Sequence, residues 1–174
     1  DEANYSFYDY SEDQLNNTAS IPDFESKETK IKITGTIYES DGVTPAKDVI
    51  LYIEQPDENG RYDVKKENDK QYVYHRGWVK TDENGEYTFY TFMPGSVRRS
   101  GEFKHIHPVV KAPGQTEYDL NAFLFDNDPL LTKMCRKRLK RKGMENSILK
   151  FEEKDSVLVA KRDIVLGENA ALSK

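Results

Sequence analysis

Residues 31–38, IKITGTIY, alternate apolar and polar positions and put Ile31, Ile33 and Ile37 on one face of a strand. A second strand is expected over 49–55, VILYIEQ, where the apolar run is nearly continuous. Between them SDGVTPAKD (40–48) is turn chemistry, and PDENGRYD (56–63) is another turn or loop. Residues 74–92 read as a hairpin, with Asn84-Gly85 supplying positive φ between two β-rich arms. After a loop over 93–104, the stretch 105–111 predicts a strand with His105, His107 and Val109 on one side and Ile106 and Val110 on the other. Further strands are expected over 117–125 and 155–166. One stretch breaks the pattern: 129–148 opens with Pro129, continues in helix formers and stops at Gly143, predicting a short surface helix. Residues 1–29 show no period and are expected to be an acidic tail or linker, one able to wrap the domain through Tyr5, Phe7, Tyr8 and Tyr10, and 169–174 a terminal tail. Many short strands and one late helix make an all-β chain, with a single sandwich or barrel domain over 30–168.

Composition narrows the class. With 174 residues the chain suits one domain with a proper core. It is 36% hydrophobic and 33% charged, and no apolar run reaches the length of a membrane helix. The net charge of −5 is uneven: residues 1–28 hold eight acids against Lys27, or −7, which leaves +2 for the rest. Nothing in that balance calls for nucleic acid. Seven Lys or Arg fall between 133 and 142, expected as a solvated basic face or a contact for an anionic partner, the acidic tail included. The chain starts at Asp rather than Met and has no signal-peptide h-region, so a mature or trimmed form is expected, with an extracytoplasmic location slightly favoured. Asn16-Asn17-Thr18 matches the glycosylation sequon.

Cys135 is the one cysteine, so intrachain disulfides and thiolate zinc sites are excluded. Any metal must be held by His, Tyr or carboxylates, a donor set suited to harder ions. His105 and His107, two apart on one strand face, are the first candidates. His75 is expected to be structural, Trp78 a core anchor, and Asp126 and Asp128 turn or capping residues.

Five stretches carry a resemblance: GTIYESDGVTPAKDVILYIEQPDENGRY (35–62), HRGWVKTDENGEYTFYTFMPG (75–95), HIHP (105–108), FLFDNDPLLT (123–132) and RDIVL (162–166). In this order they resemble the intradiol ring-cleavage dioxygenases, of the protocatechuate 3,4-dioxygenase type. The resemblance implies a β-sandwich of that type holding a non-haem Fe(III). The implied metal ligands are Tyr62, His105 and His107, with a second tyrosine after Pro-Gly-x; here that position is Val97. The position three before the first histidine, where the family places an arginine, is Glu102; Arg98 and Arg99 in the same loop are candidate replacements for its catalytic role. Tyr72, Tyr74 and Glu102 are candidate substitute ligands, and Gln55 matches a substrate-pocket position. The implied partners are a small aromatic diol and O₂, with a homo-oligomer in view. Two alternatives stand beside ring cleavage: a non-catalytic metal- or ligand-binding descendant, and a transthyretin-like structural module that shares only the first stretch.

Overall fold

The structure is a computed structural model that describes residues 6–97, 99–168 and 170–171. Along the described chain come β1 (Thr18–Ser20), β2 (Lys30–Tyr38), β3 (Ile50–Glu54), β4 (Val64–Glu67) and β5 (Lys70–Val73). They are followed by β6 (Arg76–Lys80), β7 (Glu86–Phe92), β8 (His107–Lys111), β9 (Tyr118–Asp119) and β10 (Leu124–Phe125). Helix α1 (Lys133–Arg141) precedes β11 (Ile148–Leu149), β12 (Glu152–Lys154), β13 (Val157–Lys161) and β14 (Ile164–Val165).

Two sheets form the sandwich. One has the order β1-β7-β2-β13-β12, with β14 also on β2; the other has the order β6-β3-β8-β9. Ile31, Ile33 and Ile37 of β2 turn inward as the alternation requires, and meet Leu51 and Ile53 of β3, Val79 of β6 and Ile106 and Val110 in one core. β4–β5 and β10–β11 are small flanking pairs.

The expected hairpin over 74–92 is instead an arch between sheets. β6 pairs with β3, whereas β7 pairs with β2 and β1. Gly85 does adopt positive φ (+71°). The corner is shaped by Asp82, whose carboxylate accepts from the amides of Asn84 (2.9 Å) and Glu86 (3.0 Å). The strand expected over 117–125 is two short pieces, β9 and β10, and that over 155–166 breaks at Arg162-Asp163 into β13 and β14. The helix is shorter than 129–148, and its cap is Thr132, whose Oγ1 accepts from Cys135 N at 3.2 Å. Asp128 instead accepts from the amides of Leu130 and Lys104, tying the loop before α1 to the loop before His105.

Residues 6–29, expected as a tail or linker able to wrap the domain through its aromatics, do wrap it and add a strand to it; Tyr5 lies outside the described residues. β1 joins β7 in parallel register, and Ile21 enters the core. Phe7 is only 1% exposed and packs with Ile50, Tyr52 and Val109 on the outer face of the second sheet. The indole N–H of Trp78 donates to the Phe7 carbonyl at 2.7 Å. This cover explains why β3 is apolar on both faces.

Asp9 fastens the same segment, accepting from Lys70 Nζ (2.8 Å) and Arg76 Nη1 (3.1 Å). Burial pushes its pKa up, but the hydrogen bonds and charges of Lys70 and Arg76 outweigh that and hold it below the usual carboxylate value. A carboxyl with a depressed folded pKa stabilises the fold above its unfolded value of about 3.9 and loses that contribution as pH falls through the folded one. The segment is therefore expected to loosen only below about pH 4. Asp9→Asn should loosen it at neutral pH, by about 1 kcal/mol. Amide exchange over residues 6–15 checks this; unchanged protection in the variant would contradict it.

Candidate metal centre

The site is assembled from a loop, a strand entry and a strand edge. The loop 56–63 is built on Asp57, whose carboxylate accepts from the amides of Asn59 (2.8 Å) and Arg61 (3.0 Å), and it ends at Tyr62. Ile106 bridges Phe123 and is fully buried, so it fixes the backbone between the two histidines. His105 therefore lies just before β8, and His107 is its first residue.

Tyr62 and His105 come together although 43 residues separate them: the Tyr62 hydroxyl donates to His105 Nε2 at 2.7 Å. The other imidazole nitrogen, Nδ1–H, donates to the Phe103 carbonyl at 2.9 Å. That bond fixes the tautomer and leaves the Nε2 lone pair facing the phenol. Burial pushes the Tyr62 pKa up to about 12, helped by the charges of Glu54 and Glu102. The residue keeps 39% of its surface open, with its hydroxyl turned inward to His105. The pair opens on a cleft of about 430 Å³ lined also by Gly101, Glu102, Phe103, Ala122 and Leu124.

His107 is turned to a different partner. Its Nε2–H donates to Asp119 Oδ1 of the neighbouring β9 at 3.2 Å. Across β3 its register partner is Glu54. Burial raises the Glu54 pKa, and His107, then the Tyr52 hydroxyl at 3.3 Å, act against that. Glu54 and Asp119 were not among the sequence candidates. The signal for Glu54 was an acid closing an otherwise apolar strand; its register with His107 emerges only from the sheet pairing.

The remaining candidates are scattered. Val97, where the resemblance implies a second tyrosine, is 40% exposed, and its backbone lies directly on Gly60, where a Cβ would meet Val97 N at 2.4 Å. Glu102 lines the cleft. Arg99 is exposed in its loop, and Arg98 lies outside the described residues. Gln55 is fully buried rather than at the pocket edge: its amide donates to the Phe92 carbonyl at 3.0 Å and accepts from the Thr91 hydroxyl. Tyr72 lies under the Arg76 guanidinium (4.2 Å) and Tyr74 under Lys65 (4.8 Å), so both rings serve the β4–β5 corner. His75 is buried, bonded to Asp23 Oδ2 at 2.9 Å and edge-on to Phe92, a structural role as expected.

The donor chemistry fits a hard cation. The Tyr62 oxygen and His105 Nε2 stand 2.7 Å apart, near enough that one cation could touch both. The pair does not close a shell: among the described residues no three His, Cys, Asp or Glu side chains group tightly enough to hold an ion.

No family model and no curated protein sequence matches the chain. Solved structures do. The dioxygenase domain of a dioxygenase–carbohydrate-binding protein fusion from the cellulolytic bacterium Streptomyces sp. SirexAA-E superposes with a TM-score of 0.66 at 19% identity, over 87% of each chain. An intradiol ring-cleavage dioxygenase from Tetranychus urticae gives 0.62 at 19% identity, over 87% of this chain and 85% of that one. A catechol 1,2-dioxygenase from Acinetobacter sp. gives 0.66 at 17% identity, over 92% of this chain and 62% of that one. An all-β sandwich with one short helix, superposing on these proteins over most of its length, has the fold of the intradiol ring-cleavage dioxygenases.

Proposed function

We propose that the chain binds a ferric ion through Tyr62, His105 and His107, and that the molecule it receives there is a catechol-type diol. The observation that carries this reading is the 2.7 Å approach of the Tyr62 hydroxyl to a tautomerically fixed His105 Nε2. Phenol oxygen and imidazole nitrogen together suit a hard trivalent cation. When bound, such an ion supplies a Lewis-acidic centre that chelates a catecholate and couples it to O₂ for ring opening.

The chain's own residues prepare that site. At a pKa of about 12 Tyr62 is a phenol at neutral pH, so ligation displaces its proton and metal affinity rises with pH. Val97 offers no group to take up a proton. Glu54, whose charge acts on both Tyr62 and His107, is the carboxylate placed to hold one. Phe103, Ala122 and Leu124 give the cleft apolar walls against which an aromatic ring can lie.

A second reading, binding without ring opening, is favoured by two observations: the aliphatic Val97 and the His107–Asp119 bond. One experiment separates the two. The chain is purified without chelators, loaded with Fe(III) and assayed for iron content, visible absorption and oxygen uptake with catechol. One iron per chain, a tyrosinate band that shifts with catechol, and oxygen uptake are expected. Iron and a shifting band without oxygen uptake establish the second reading; neither iron nor band overturns both.

A further inference from the structure

Helix α1 contributes no buried residue, although a surface helix ordinarily turns an apolar stripe to the core. It is held instead by its Thr132 cap and by Arg136, which bonds the Asp126 carboxylate and the Leu131 and Asp126 carbonyls. Cys135, Arg136 and Leu139 form the inner, half-buried side. The opposite side is exposed and carries Lys133, Met134, Lys137, Arg138, Lys140 and Arg141.

Met134, the second residue of the helix, is 69% exposed on this side. Lys137, Arg138 and Arg141 follow it by three, four and seven positions and so share its face of the helix. Leu130, 41% exposed, lies in the turn just before the helix. Among the described residues these cations make no ion pair, while Arg136 on the inner side does. Among the described residues of the acidic amino-terminal segment none pairs with them, and Asp9 is engaged by Lys70 and Arg76, Asp23 by His75.

We propose that this face docks on an anionic lipid surface. Lys137, Arg138 and Arg141 meet the charged headgroups, and Met134 and Leu130 enter the boundary between headgroups and acyl chains. The cations alone would serve any polyanion. The exposed methionine on the same face favours lipid, because an exposed thioether chain gains only where water is left behind. Docking of this kind needs no span, and no helix among the described residues is long and apolar enough to cross a membrane.

The test is co-sedimentation of the full chain with vesicles of phosphatidylcholine, with and without a third phosphatidylserine. Binding is expected only to the mixed vesicles and should weaken as salt rises. K137E/R138E/R141E should lower the bound fraction about tenfold or more, since each cation near the surface contributes independently. Met134→Ser should lower it several-fold. Circular dichroism and a thermal midpoint equal to the parent's show that the variants are folded. Failure to sediment with the mixed vesicles overturns the proposal, as does binding that survives the triple reversal. Binding that responds to charge but not to Met134→Ser, or capture by soluble polyphosphate in place of vesicles, overturns it in favour of a general polyanion surface.

Discussion

Replacing Gly35 by alanine is expected to cost about 3 kcal/mol or more, a large share of a stability that for a domain of this kind is about 5–15 kcal/mol. Gly35 sits in β2 opposite Tyr87 of β7. The chain between β13 and β14 crosses it so closely that a Cβ would stand 1.9 Å from the Arg162 carbonyl oxygen and 2.8 Å from the Tyr87 ring. That carbonyl accepts the buried Tyr87 hydroxyl at 2.6 Å, and Arg162 N donates to the Thr34 carbonyl at 2.7 Å. A methyl group must push the crossing chain away, which strands a buried hydroxyl and pulls β13 and β14 from β2 together. The urea midpoint should fall by about 1 M or more. A midpoint equal to the parent's would mean that the crossing chain yields without loss.

Tyr62→Phe is expected to remove the visible band of the iron-loaded protein and to weaken Fe(III) binding by about a hundredfold or more, since loss of even an outer-shell partner costs about 10–100-fold. The phenol oxygen is the one anionic donor that the Tyr62–His105 pair offers, and phenylalanine keeps the ring and its packing while deleting that atom. His105→Ala should match it in iron content. His107→Ala should have a smaller effect, because His107 must first give up Asp119. Iron content by elemental analysis and titration against a competing chelator separate the three. A Tyr62→Phe protein with parental iron and colour would place the metal elsewhere.

Much of the sandwich was legible because strand alternation is a local signal. Ile31, Ile33 and Ile37 point inward for the reason their spacing states. The Asn84-Gly85 turn was legible as a turn but not as an arch, because positive φ at a glycine serves both; which sheet each arm joins depends on distant partners. The amino-terminal segment was legible only as aromatics able to wrap the domain, Phe7 among them, and its partners were not. Phe7 and Asp9 find Trp78, Lys70 and Arg76 some sixty to seventy residues away, and no period marks them. At the site, spacing alone singled out the two histidines; Tyr62 came from the family resemblance. Their pairing was only half realised, since Ile106 pins the backbone and the two rings face different partners.

Two glycines set the relation between position 97 and the phenol-bearing loop. A Cβ on Gly95 would strike the Glu58 carbonyl at 2.1 Å, and one on Gly60 would strike Val97 N at 2.4 Å. The two segments therefore lie backbone on backbone, with no side chain wedged between them to be rearranged. The side chain at 97 can therefore be exchanged at its tip on a mount that the two glycines hold, which makes the position a simple place to add a donor group beside the loop that carries Tyr62.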